Sequence, residues 1–248
     1  MSSFKTVLIA LMIGLMPTMA FAGSALTDAQ KTEVEAVVRE LLTKKEPEII
    51  IKAAEAAQGK MEKAASEKGQ ENITKYQQQL NNDPASPVAG NPKGDVTVVE
   101  FFDYSCGYCK MAQAHVEKLL GEDKNVRFVF KEFAILGPAS VTASQAALAS
   151  AAQGKYLDFH NALMKSKAHL DEGIIFEIAS EVGLNVDKLK KDMKDDKIAK
   201  EMKDTHDLAD ALSIHGTPSF IIGGKLYPGA LPYEQLKIAI DEARKAKK

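Results

Sequence analysis

The tetrapeptide Cys106-Gly107-Tyr108-Cys109 constrains this chain more than any other feature, and its cysteines are the only two in the sequence. They closely follow an apolar run, Val96-Thr97-Val98-Val99-Glu100-Phe101-Phe102, which reads as a largely buried strand. Beyond them Ala112, Val116, Leu119 and Leu120 recur at helical spacing, predicting a helix from about Cys106 to Leu120. A cysteine at such a strand-to-helix junction faces the unpaired N–H groups of the first helical turn. Those groups favour an anion, so the thiol ionises more readily than a free one. Cys106 is therefore expected to be an exposed nucleophile, with Cys109 one turn inside.

A C-x-x-C pair has three usual chemistries. Half of a zinc site needs two further ligands, and neither a second cysteine pair nor a histidine pair follows; His115 stands alone on the predicted helix. Haem attachment needs a histidine after the second cysteine, where this chain has Lys110. A redox dithiol beside a strand–helix unit fits best, and it calls for no metal and no cofactor. A structural disulfide closing so short a loop would constrain the unfolded chain little.

Residues 1–22 have the pattern of an export signal. Lys5 supplies positive charge, Val7 to Met16 is apolar, Pro17 breaks the run, and Ala20-Phe21-Ala22 is a cleavage pattern, so cleavage is expected after Ala22. The apolar stretch is shorter than the roughly 20 residues needed to span a bilayer. Export to the periplasm would place the dithiol in an oxidising compartment. A formal net charge of −2 gives no reason to expect a nucleic-acid partner.

Residues 23–82 form a compositionally separate segment, rich in Ala, Glu, Lys and Gln. Thr27-Asp28-Ala29-Gln30 predicts a capping box, followed by Val34, Val37, Val38, Leu41 and Leu42 at helical spacing. Pro47 fits the first turn of a second helix carrying Ile49, Ile50, Ala53, Ala54, Ala57 and Met61. After Gly69 the pattern thins to Ile73, Tyr76 and Leu80. Such helices cannot bury their apolar stripe alone. They either fold back on the rest of the chain or pair with another copy, and the expectation is oligomerisation. Residues 83–95, with Pro84, Pro87, Pro92, Gly90 and Gly94, read as a linker.

The remainder, 96–248, reads as one α/β domain. Val126 to Phe133 predicts a second strand, and about 138–212 is helical throughout. Gly216 to Tyr227 predicts a hairpin around Gly223-Gly224, and Tyr233 to Ala246 a final helix. Within it Glu100 has two readings: a buried acid with a raised pKa, or an edge residue facing water. Lys131 on the neighbouring strand is its candidate charge partner. Thr217-Pro218 fits the start of a strand. The histidines are expected mostly on surfaces or helix faces, His215 being the one to watch beside Gly216-Thr217-Pro218.

Val98 to Lys110, with Gly216-Thr217-Pro218 downstream, resembles the DsbA family of exported thiol–disulfide oxidoreductases. The N-terminal helices and the linker are similar to a branch that includes dimeric DsbA-like proteins and outer-membrane-protein-like immunogens. The resemblance implies a thioredoxin fold with a helical domain inserted before a cis-proline. It implies that Cys106 is the nucleophile, Cys109 the resolving cysteine and Glu100 the buried acid. Pro218 would be the cis-proline, Thr217 would offer backbone hydrogen bonds to substrate, and Tyr108 would lie against it. Dimerisation through 24–82, an association with the outer membrane, a membrane redox partner and unfolded or misfolded exported clients are implied as well.

Between the cysteines the family's strong oxidase has Pro-His where this chain has Gly107-Tyr108. Gly-Tyr resembles the dimeric periplasmic disulfide isomerases. The expected activity is therefore disulfide isomerisation with some oxidase capacity. A periplasmic holdase or metal-binding protein using the dithiol passively is the competing reading.

Overall fold

The structure is a computed structural model and describes residues 26–46 and 48–246. The export signal at 1–22 and the helix-starting role of Pro47 lie outside the described residues. The chain divides into two compact units, one ending at Gln58 and the other Gly59–Lys248.

In the first unit, α1 (Asp28–Glu40) starts from the expected capping box: Thr27 Oγ1 accepts from the Gln30 N–H at 3.3 Å, and Gln30 Oε1 accepts from the Thr27 N–H at 2.9 Å. A π-helical turn, Leu41–Lys45, extends it. The second helix, α2 (Ile49–Lys75), begins in this unit and crosses the division. No residue of α1 is buried, and Val34, Val37, Val38, Ile50 and Ile51 all stand exposed. Apolar side chains lose roughly 1.5–3 kcal/mol each when left in water rather than buried.

The second unit holds the end of α2, then α3 (Gln77–Asn81), β1 (Val88–Gly90), β2 (Val96–Phe102), α4 (Gly107–Glu122) and β3 (Val126–Glu132). Five helices follow: α5 (Pro138–Ser150), α6 (Tyr156–Lys165), α7 (Glu172–Glu181), α8 (Val186–Asp192) and α9 (Asp196–Ala211). The hairpin β4 (Ser219–Ile222) and β5 (Lys225–Pro228) and helix α10 (Tyr233–Ala246) complete it. The five-stranded sheet runs β1-β3-β2-β4-β5, with β2 and β3 parallel and the other pairs antiparallel. This is a thioredoxin fold with a helical domain inserted between β3 and β4.

Strands β2 and β3 are buried on both faces, as a parallel pair should be. Val98, Phe102, Phe128 and Phe130 pack into the main core with α4, α10 and the inserted helices. Alanine-rich α5 lies buried at the heart of the insertion, where Ala143, Ala146 and Ala147 allow close packing by its neighbours. On the other face Val99, Phe101, Val129 and Ile221 need their own cover. Ile73 and Leu80 supply it together with Leu208 and Leu212. Gly69 permits the approach of α2, since a Cβ there would stand 2.9 Å from the Leu212 carbonyl oxygen.

Three expectations change at this point. Residues 59–82 are not part of a separate oligomerisation segment, because Ile73 and Leu80 complete the second core of the second unit. The 83–95 stretch is not a plain linker either. Its Val88–Gly90 forms edge strand β1 against β3, and flanking prolines are tolerated because an outer edge needs no ladder donors. Finally, Lys131 does not meet Glu100. The register sets Glu100 beside Phe130 and Lys131 beside Phe101, so the two side chains leave opposite faces of the sheet. Lys131, 1% exposed, pairs instead with Asp83 at 2.8 Å and lies 3.8 Å from Glu201.

Candidate active site

The turn between β2 and α4 is organised by Asp103, which is fully buried. One carboxylate oxygen accepts from the Ser105 N–H and the Ser140 hydroxyl, both at 2.7 Å. The other accepts from the Ile135 and Leu136 N–H groups at 2.8 and 2.9 Å. Asp103 thus ties the approach to the dithiol onto the loop after β3. Its contact with the N–H two residues on is an Asx turn, and Asp-x-Ser before a helix is a signal the sequence reading passed over.

Cys106 is the N-cap of α4, with its sulfur accepting from the Cys109 N–H at 3.3 Å. In the thiol form it donates to the Thr217 backbone carbonyl, also at 3.3 Å. Cys106 was expected to be exposed, but it keeps only 6% of its surface, recessed between the helix start and the Thr217 loop. The neighbouring Cys109 thiol contributes most to lowering its pKa, to about 6, against the opposing effect of burial. The Thr217 side chain and the N–H groups of Cys109 and Tyr108 add to the lowering. Cys109 moves the other way: burial above all, then its hydrogen bond to Cys106 and the charge of Glu100, pushes its thiol up.

Glu100 takes the buried reading. It is 2% exposed, and burial, with the nearby Cys106 charge, pushes its pKa up to about 8. It acts electrostatically on Cys109, so the fold brings Glu100, Cys106, Cys109 and Thr217 into one site. The Thr217–Pro218 bond is cis. Tyr108 is 65% exposed beside the dithiol, and Met111, Ile135 and Leu136 also present apolar surface around this end of the domain. His215, two residues before Thr217, is exposed.

A second buried group was not anticipated. Glu132 Oε1 lies 2.9 Å from the Tyr104 hydroxyl and 2.8 Å from that of Tyr156, while Tyr104 lies 3.0 Å from His160 Nδ1. His160, on α6, is fully buried against Phe102 and Phe130, and burial drives its pKa down to about 3. Strand periodicity held the clue to Glu132, which shares a face with Phe128 and Phe130.

A family model for the DSBA-like thioredoxin domain matches residues 97–241. The chain belongs to the DSBA-like thioredoxin domain family. Members of this DsbA-like family are thiol–disulfide oxidoreductases, and the matched span contains the dithiol, Glu100 and Thr217-Pro218. Among solved structures, a thioredoxin-like oxidoreductase from Silicibacter pomeroyi DSS-3 is 47% identical at a TM-score of 0.67, covering 68% of this chain and 97% of its own. The thiol-disulfide exchange protein alpha-DsbA2 from Wolbachia pipientis is 33% identical at 0.67, covering 72% and 97%. A periplasmic thioredoxin-like protein from Salmonella enterica serovar Typhimurium is 29% identical at 0.62, covering 68% and 95%. The chain spans about a quarter of the length of the first curated relatives it matches: for the Na(+)/H(+) antiporter NhaA 1 of Salinispora arenicola, 29% identity covers 63% of this chain and 24% of the antiporter.

Proposed function

We propose that the protein is an exported thiol–disulfide exchange enzyme that isomerises disulfides in other exported proteins and can also introduce them. The observation carrying this reading is the split between its two sulfurs, Cys106 lowered to about 6 and Cys109 raised. At neutral pH that split leaves one thiolate ready to attack and one thiol held in reserve.

In isomerisation the Cys106 thiolate attacks a client disulfide. A Cys106–client S–S bond forms, and the client S–S bond breaks, releasing a client thiolate. Another client thiolate then attacks the client sulfur of this mixed disulfide and expels Cys106 as a thiolate. The client is rearranged, and nothing is oxidised or reduced overall. In oxidation the enzyme begins as the Cys106–Cys109 disulfide. A client thiolate attacks Cys106, and Cys109 departs as a thiolate that takes a proton from Glu100. A second client thiolate attacks the client sulfur and releases Cys106. The client loses two electrons, and the dithiol gains them until a membrane redox partner resets it.

Glu100 suits this role because its raised pKa keeps a proton available beside Cys109 near neutral pH. Thr217 and cis-Pro218 flank Cys106 where an extended client segment would lie, and exposed Tyr108 offers it an apolar contact. The exposed apolar residues of 26–58 support self-association, as a homodimer, through that segment. The pattern of residues 1–22, and the periplasmic relative, support export.

The test is recovery of scrambled ribonuclease alongside insulin reduction. Cys106→Ser should abolish both. Retained activity in that variant, or client protection without turnover, would favour the passive holdase instead.

A further inference from the structure

The unanticipated polar group runs on from Glu132 through Tyr104 and His160 to Gln113 on α4. His160 Nε2 lies 3.3 Å from Gln113 Oε1. The orientation of that amide is fixed from outside. Its Nε2 faces Asn161 Oδ1 at 2.7 Å and Glu117 Oε1 at 3.4 Å. Glu117 is ion-paired with Lys165 at 2.8 Å and can only accept a hydrogen bond, so the amide NH2 must point towards it. Gln113 therefore turns an acceptor towards His160.

The proton count follows link by link. His160 Nε2 must carry a hydrogen to donate to Gln113. A neutral ring then leaves Nδ1 as an acceptor, and the Tyr104 hydroxyl donates to it. A tyrosine has one hydroxyl hydrogen, and here it is spent on His160. Glu132 Oε1, 2.9 Å from the same Tyr104 oxygen, would meet it lone pair to lone pair unless the carboxyl brings a hydrogen of its own. A protonated Oε1 donates to Tyr104 and still accepts from Tyr156.

We propose that Glu132 is a neutral hydrogen-bond donor and a positioning residue for the dithiol, acting through Tyr104, His160 and Gln113. Two members of the relay bracket the reactive segment: Tyr104 is two residues before Cys106, and Gln113 one helical turn beyond Cys109. The middle is anchored on α6 of the insertion, so the relay sets the seat of α4 against the inserted helices. The surroundings favour the uncharged arrangement. Burial pushes Glu132 up to about 8 and holds His160 down at about 3. The other ionisable groups facing Glu132 are Asp103, Tyr104 and Tyr156, and α5 brings none.

The proposal rests on the exchange reading only in treating the dithiol as the reacting centre. Its test is nitrogen-15 NMR of the histidine rings in the full, reduced protein at about pH 6, with insulin reduction measured on the same samples. His160 should be the neutral Nε2–H tautomer. Glu132→Gln, whose amide can donate in place of the acid, should keep that tautomer and hold the rate within about twofold. Glu132→Ala and Tyr104→Phe should each slow exchange about tenfold, Tyr104→Phe with no change of side-chain packing volume to obscure the result. A Nδ1–H tautomer, a doubly protonated ring, or a loss in Glu132→Gln as large as in Glu132→Ala would overturn the proposal. An inactive wild-type protein would count against the exchange reading alone, since the tautomer is read independently.

Discussion

The Cys106 sulfur accepts a hydrogen bond from the Cys109 N–H at 3.3 Å, across the first turn of α4. This contact joins the two roles of the helix start, capping and thiolate stabilisation. With the Cys109 thiol as the largest cause of the lowering and this N–H contact adding to it, the ultraviolet thiolate absorbance of the reduced protein should titrate with a midpoint of about 6, well below the ordinary value of 9.0. A folded pKa below the unfolded one means that the ionised thiol stabilises the reduced fold. That contribution is complete above about 9, shrinks as pH falls and is gone below about 6. Unfolding of reduced wild type and Cys106→Ser, compared across this window, should show the gap closing towards acid pH.

For Glu100 the sign is reversed. Its pKa rises from 4.5 to about 8 on folding, so its contribution is fully present below 4.5 and is lost as pH rises through 8. Urea unfolding should therefore show Glu100→Gln gaining on wild type by on the order of 3 kcal/mol between acid and neutral pH. The same substitution should slow the step in which Cys109 gains or loses a proton by about 100-fold. An unchanged stability gap across pH would place Glu100 outside the buried site.

Lys131 and Glu100 lie on opposite faces of the sheet, and their substitutions should separate. Lys131→Met leaves Asp83 and Glu201 without their buried cation, which costs roughly 3–5 kcal/mol. The thiolate midpoint of Cys106 should stay in place. A shift of that midpoint with little loss of stability would mean that Lys131 acts on the active site after all.

Truncation distinguishes the two parts of the N-terminal helices. A chain beginning at Gly59 keeps Ile73 and Leu80 on the sheet and should fold, exchange disulfides and sediment as a monomer. A chain beginning at residue 83 exposes Val99, Phe101 and Val129 and should be less stable by several kcal/mol, about what burying two large aliphatic side chains supplies. Self-association of the Gly59 chain would remove residues 26–58 from the interface.

Much of this architecture is legible in the sequence where the physics is local. The strand–dithiol–helix junction, the capping box at Thr27, the run of inserted helices and the Gly223-Gly224 hairpin each depend on neighbouring residues. What depends on distant ones is not legible. Whether Lys131 meets Glu100 is decided by the register of parallel strands joined through α4, and period 2 puts them on opposite faces. The thin pattern Ile73, Tyr76, Leu80 looked like a fading helix, yet its few apolar positions suffice to cap a core made by other strands. His160 and Glu132 are buried polar residues whose hydrogen-bond partners come from three separate segments, the β2–α4 turn, α4 and α6. The isomer of Thr217–Pro218 cannot be read from a dipeptide, since isolated X-Pro bonds are overwhelmingly trans.

The most direct measurement traps the covalent intermediate. Cys109→Ala, incubated with a disulfide-bonded client and analysed by peptide mass spectrometry, should accumulate a mixed disulfide on Cys106. Cys106→Ala should form little adduct on Cys109, whose thiol is buried and held protonated. Absence of the Cys106 adduct, or equal trapping by the two variants, would contradict the assignment of this dithiol as an exchange site with Cys106 as its nucleophile.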